Sequence, residues 1–192
     1  MLRKTYDKTL ALAEHPHALW LLAFVAFIES SVFPIPPDVM MIPMILAAPR
    51  RAWLIALIAT VSSVAGAGLG YVIGAFFYDS IGAPVLEALG KGDSMAAFNA
   101  KFNEYGVWAV LFAGLTPFPF KVITIMSGWT AMPIVPFILS AIIARAARFF
   151  IVAGLLYAFG DPIRDFIERR LGLVFTLFCV ALIGGFMVLR FV

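Results

Sequence analysis

The chain has 192 residues, 63% of them hydrophobic and 13% charged, with a mean hydropathy of +1.01. Soluble domains are nearer half apolar and a quarter charged, so a soluble domain, a disordered chain and a nucleic-acid binder are all excluded, and an all-α polytopic membrane protein is expected. Lys and Arg number 14 against 11 Asp and Glu, a net +3; in such a chain the placement of charges says more than their sum.

Arg3, Lys4 and Lys8 open the chain, but no long apolar run follows before Ala18, and Glu14 interrupts. A cleaved signal peptide is not expected. Residues 18–33 are a 16-residue apolar run, about 24 Å as a helix, short of the roughly 30 Å hydrocarbon core. Pro34, Pro36 and Pro37 then remove backbone donors and stop it. Residues 39–48 would reach only about 15 Å, and Arg50 and Arg51 follow. Two short helices around a proline break suit a re-entrant hairpin; the alternative is that the prolines kink ordinary spans. Broken backbone at membrane depth survives only where protein or a wet cavity satisfies it.

Residues 53–78 are 26 residues without a charge, the clearest spanning helix. Ser62, Gly66, Gly70 and Gly74 recur every four residues along it. That stripe lets another helix approach closely; the alternative is a substrate groove lined by bare backbone. Within the polar interval 79–106, Asp93 can cap a short interfacial helix, with Met95, Phe98 and Phe102 on one face and Gly106 at its C-terminal end.

The first pattern then returns. Residues 107–116 are a ten-residue apolar run, Pro117 and Pro119 break it, Lys121 follows, and residues 122–131 form the next short run. Residues 133–159 have spanning length but carry Arg145 and Arg148. Beyond the polar patch from Asp161 to Arg170 comes a last run, 171–189, about 28 Å long. The expected fold is one membrane domain, 1–192. It is an inverted repeat with two re-entrant helical hairpins, about three full transmembrane helices and interfacial helices. Repeat one covers 1–78 and repeat two about 93–159, with an extra C-terminal transmembrane helix at 171–190.

The charges fit an N-terminus in the cytoplasm. Eight Lys and Arg then lie inside and three outside, as the positive-inside rule asks, with Lys121, Arg145 and Arg148 at membrane depth. Glu29, Asp38, Lys121, Arg145 and Arg148 each cost about 2.5–3.5 kcal/mol at a helix centre. They are expected to meet in one polar cavity, each acid paired with a base. The set is net cationic, which suits an anionic substrate, and arginine suits phosphate by its fork geometry. The alternative is buried structural ion pairs, such as Glu29–Lys121 or Asp38–Arg148. Cys179 is the only cysteine and His15 and His17 the only histidines, so no disulfide, metal site or cofactor is expected. No histidine lies at membrane depth beside Ser30 or Ser31, so no enzyme is expected.

At these residues the chain resembles a known family. The stretch Glu29-Ser-Ser-Val-Phe-Pro34-Ile-Pro36-Pro37-Asp38 looks like the first motif of the DedA/VTT superfamily (SNARE-associated Golgi-type) of membrane proteins. Residues 102–128, with Pro117-Phe-Pro119-Phe-Lys121 and Gly128, resemble its second motif. The resemblance covers about residues 15–160. The family usually has arginine where Lys121 stands, and often an Arg-Phe pair where Gly114 and Leu115 stand here. It implies a flippase for an anionic lipid, a phospholipid or polyprenyl phosphate, in a bacterial inner membrane. It also implies proton coupling, with Glu29 and Asp38 handling protons and Lys121, Arg145 and Arg148 holding the lipid phosphate. A passive scramblase and a structural or assembly protein are the alternatives. The expected partners are membrane lipids and protons, and homo-oligomerisation is left open.

The topology has a direct test. In a Cys179→Ser background, single cysteines at Thr9 and Arg51 should be labelled by an impermeant reagent only from the cytoplasmic side, and one at Ser94 only from outside. Thr9 and Arg51 on opposite sides would remove the first re-entrant hairpin.

Overall fold

A computed structural model describes residues 17–32, 36–82, 84, 92–116, 118–160 and 162, with the side chains of 92–97 not described. The expectations for residues 1–16, Pro34, Pro117, the side chains of Asp93 and Met95, the polar patch beyond Gly160 and the last span at 171–190 lie outside the described residues. Every described element is helical.

Helix α1, Ala18–Ser31, has 14 residues, and Val32 leaves helical geometry at φ −133°. The exit comes two residues before Pro34, and helices usually end at or before the residue preceding a proline. Helix α2, Asp38–Ala47, starts after Pro37 at φ −63°, with Asp38 in its first turn, where a carboxylate complements the helix dipole. A 3-10 turn, Pro49–Arg51, leads into α3, Ala52–Phe77, which continues as a π turn over Tyr78–Gly82. Helix α4 is Gly92–Leu115 and α5 is Phe120–Trp129, entered from Pro119 at φ −62°. Helix α6 is Ile134–Gly160. Two helical stretches among the described residues, Pro49–Gly82 and Ile134–Gly160, are long and apolar enough to cross a membrane.

One boundary differs from expectation. The interfacial helix does not end at Gly106: α4 runs on without a break for 24 residues, about 36 Å. No proline interrupts it, and a single glycine weakens a helix by only about 1 kcal/mol. Gly106 is used for packing instead, since a Cβ there would stand 3.0 Å from Met132 Sδ.

Each long helix carries two other segments laid end to end, one from each half of the chain. Along α3, α1 comes first. Ala18 and Leu22 join Ala52, Ile55, Ala56 and Ala59 in one core cluster. A Cβ on Gly66 would collide with the Phe27 carbonyl. At Gly70 the occupant changes, with Ser30 of α1 and Thr124 of α5 both facing it. Beyond it Gly74 lies under the Ile125 carbonyl and Gly128 under the Tyr71 carbonyl. Glycine is required at these crossings because backbone lies where a side chain would be. Helices α1 and α5 are about 21 and 15 Å long. Together they nearly match the roughly 39 Å of α3.

Along α6 the order is α4 and then α2. Val110 and Ala113 pack with Phe137 and Ala141, and a Cβ on Gly114 would stand 2.5 Å from Ala144 Cβ. Met40, Met41, Met44 and Ile45 of α2 pack with Phe149, Ala153 and Leu156. So the four-residue stripe on α3 is packing surface, and its polar member is the fully buried Ser63 rather than the half-buried Ser62. The outer faces carry Trp20, Phe24, Val61, Phe76, Trp108, Phe112 and Ile143, all exposed. Contiguous apolar surface of this kind suits hydrocarbon, not water.

The crossings give a stability prediction. Gly74→Ala and Gly128→Ala should each cost about 1–3 kcal/mol, the usual penalty of overpacking, read as a lower melting temperature in detergent. Gly68→Ala is the control: nothing lies within 4 Å of its Cβ, and alanine favours helix by roughly 1 kcal/mol.

Candidate functional site

The two end-to-end junctions are where the charges collect. A helix leaves its last carbonyls without intrahelical donors, and in apolar surroundings each unsatisfied group costs several kcal/mol. At the α1/α5 junction, Lys121 Nζ donates to the Val32 carbonyl at 2.9 Å. Thr124 Oγ1 lies 3.0 Å from the Ser30 carbonyl and 2.9 Å from the Lys121 carbonyl. At the α4/α2 junction, Arg148 Nη1 donates to the Thr116 carbonyl at 2.6 Å. Its Nη2 reaches Asp38 Oδ2, also at 2.6 Å. Each broken helix therefore ends against a cation.

Arg145 lies one turn before Arg148 on α6, on the same face. Its Nη2 donates to Glu29 Oε2 at 2.7 Å. The guanidinium lies between the rings of Phe120 and Phe149, with its carbon 4.8 and 4.6 Å from their centroids. Cation–π contact with a desolvated guanidinium contributes about 2 kcal/mol. The side chain is 1% exposed and Glu29 12%. Nε and Nη1 of Arg145 have no hydrogen-bond partner among the described residues. A buried guanidinium with two idle donors is costly unless an acceptor comes to it. Asp38 and Arg148 are within electrostatic reach as well.

The structure thus brings the five expected residues to neighbouring positions, with partners partly different from those expected. Asp38 pairs with Arg148. Glu29 pairs with Arg145, and Lys121 serves a backbone carbonyl. Lys121 sits at the start of α5, where the nearest unmet need is the carbonyl end of α1. Pro37 and Pro119 directly precede the helices that carry Asp38 and Lys121. Several contributors were not legible as site residues. Phe120 and Phe149 flank the guanidinium, and the spacing of Phe149 four residues after Arg145 is the signal that marks it. Ser63 is bonded to Ser30 and sits off the four-residue glycine period. Tyr71 donates to the Met132 carbonyl at 2.6 Å and ties α3 to the α5–α6 turn.

Removing one partner of a buried ion pair costs about 3–5 kcal/mol. Glu29→Leu and Arg145→Leu should each destabilise by about that amount. The double variant should recover a large part of it, giving a coupling energy in a double-mutant cycle of thermal melts. Additive losses would mean the pair contributes nothing as a pair.

Comparison with known proteins follows the same residues. Positions 35–158 match the VTT domain. An uncharacterized protein of Haemophilus influenzae is 39% identical over 150 residues, 78% of either chain. An uncharacterized protein of Histophilus somni is 41% identical over 150 residues, again 78% of each. No solved structure matches.

Proposed function

The chain belongs to the VTT-domain family, the DedA/SNARE-associated group, and is a membrane protein of it; from that premise we propose that it translocates an anionic lipid, a phospholipid or a polyprenyl phosphate, in exchange for a proton. The observation that carries this reading is Arg145. Its guanidinium lies midway along a helix of spanning length, held by one carboxylate and two rings, with two donors idle. A phosphate oxygen is an acceptor that can use such donors, through the fork geometry particular to arginine. The state described is closed around it, so a lipid headgroup enters only when a junction opens.

The end-to-end packing supports an inverted repeat. Exchanging α1, α2 and α3 for α4, α5 and α6 turns the α1-then-α5 row on α3 into the α4-then-α2 row on α6. The short α2 and α5 then enter from opposite sides, each as the inner arm of a re-entrant hairpin, and the junctions fall at mid-membrane. The eight-to-three charge excess favours an N-terminus in the cytoplasm, and the bacterial relatives favour a bacterial plasma membrane. In this reading Lys121 and Arg148 hold the broken helix ends, and Arg145, joined by Arg148, holds the phosphate. Glu29 competes with the phosphate for Arg145, as Asp38 competes for Arg148. Protonation of Glu29 frees the guanidinium for the headgroup, and phosphate release lets the ion pair re-form.

The experiment is lipid flipping by the purified protein in vesicles, with and without an imposed pH gradient. Hydrogen bonds to charged groups contribute roughly 1.5–3 kcal/mol, so Arg145→Gln should slow flipping about tenfold or more while the protein still inserts. Glu29→Gln and Asp38→Asn should lose the response to the gradient. Wild-type flipping that ignores the gradient, with both acid variants as fast as wild type, would make the protein a passive scramblase. No flipping of either lipid would leave a structural role.

A further inference from the structure

Glu29 has a second partner, and it leads away from the charges. Ser30 Oγ donates to Glu29 Oε2 at 3.1 Å. The same hydroxyl stands 2.6 Å from Ser63 Oγ on α3. Ser30 and Ser63 both have 0% exposure. Water is therefore not at hand to serve either hydroxyl.

The protons in this chain have one arrangement while Glu29 is charged. A carboxylate only accepts, so the single Ser30 proton points at Oε2. Ser63 must then donate to Ser30, since otherwise two oxygens would face each other at 2.6 Å without a proton between them. The direction is Ser63 to Ser30 to Glu29. A proton arriving on Oε2 from solvent reverses it. The carboxylic acid becomes a donor, Ser30 Oγ accepts from it, and Ser30 turns its own proton to Ser63 Oγ. Ser63 then has the recourse of any helical serine, the carbonyl four residues back. Ser31, Thr60, Ser127 and Ser140 make that bond in this structure. Both hydroxyls keep their own protons and only rotate.

The charged groups around Glu29 are Arg145 and Arg148 on α6, Lys121 on α5 and Asp38 on α2. Helix α3 brings no charge to it, only the Ser63 hydroxyl. Yet α3 is the helix against which α1 is fixed, with Gly66 under Phe27 and Gly70 under Ser30.

We propose that Ser63, acting through Ser30, is a positioning residue for Glu29: the hydroxyl pair holds the carboxylate against Arg145 and, by reversing its direction, supplies the acceptor that the protonated acid needs when it leaves the guanidinium. This rests on the proton-coupled reading of Glu29 and extends it to a residue of the scaffold helix. A serine that accepts from the acid must place its own proton elsewhere, and Ser63 at 2.6 Å takes it without the turn onto the helix's own carbonyl that would break this contact.

The test is difference infrared spectroscopy of the full-length protein in lipid nanodiscs, titrated with acid, with the Glu29 carboxyl band identified by its loss in Glu29→Gln. Ser63→Ala should move that band to higher frequency, as for a carboxyl whose hydrogen bond has weakened, and Ser30→Ala should move it further. Ser63→Cys keeps the volume nearly constant and offers only a weak donor, so it should move the band in the same direction even if the alanine variant folds poorly. Ser62→Ala, at the neighbouring half-buried hydroxyl, should leave it in place. A residue that merely packs would lower the melting temperature and leave the frequency untouched. Bands at the wild-type position in both Ser63 variants overturn the proposal, and so does the absence of any band lost in Glu29→Gln, for the acid then takes no proton. Shifted bands from a protein that flips no lipid would leave the relay standing and remove the transport reading. Gradient-driven flipping with unshifted bands would do the reverse.

Discussion

A helix that ends inside an apolar environment has carbonyl groups with no donor, and hydrocarbon offers none. Two helices of this protein, α1 and α4, end against another helix laid end to end with them, and much of the molecule answers to the carbonyls left there. Lys121 supplies a donor to Val32 at one end, and Arg148 supplies one to Thr116 at the other. These cations are expensive to bury alone. One of them, Arg148, is balanced by Asp38, which in turn sits in the first turn of α2, where the helix dipole favours a negative charge. The break, the cation and the acid form one unit: each makes the next tolerable.

Close approach is the second requirement. For α1 and α5 to lie along α3, carbonyls must come within reach of the facing backbone. Glycine at 66, 70, 74 and 128 clears the way. Without a hydrophobic drive between helices in lipid, such contact is the main source of cohesion. The same closeness lets Ser63 touch Ser30 and lets Thr124 reach across the α1/α5 junction. Packing and polar bonding are therefore not separate layers here: the glycine crossings set the distances at which the hydroxyls meet.

Arg145 differs from the other two cations. Lys121 and Arg148 are engaged by backbone; Arg145 is engaged by one carboxylate oxygen and two aromatic faces. Aromatic faces stabilise a cation without satisfying its N–H groups. The group is thus held in place yet under-bonded. A structural residue would usually be saturated, whereas one that must exchange partners benefits from being held this way.

Much of this was legible in the residues alone. Composition and run length marked a helical membrane chain, and Glu29, Asp38, Lys121, Arg145 and Arg148 stood out because charges are rare in apolar runs. The prolines located the breaks, since a residue without an N–H and with a fixed φ acts locally. The pairing was not legible. Glu29 and Arg145 are separated by 116 positions and Asp38 and Arg148 by 110, and nothing in spacing tells which acid takes which base. That Lys121 serves a carbonyl, that Ser63 rather than Ser62 faces the core, and that α4 runs through Gly106 were likewise undetermined. The sequence by itself determined where helices break and which groups cannot face lipid, because both follow from local covalent geometry and solvation. Only the tertiary structure decided who satisfies whom, because an ion pair or a cap depends on the rotation and height of one helix against another, and those are fixed by side-chain packing across the whole bundle.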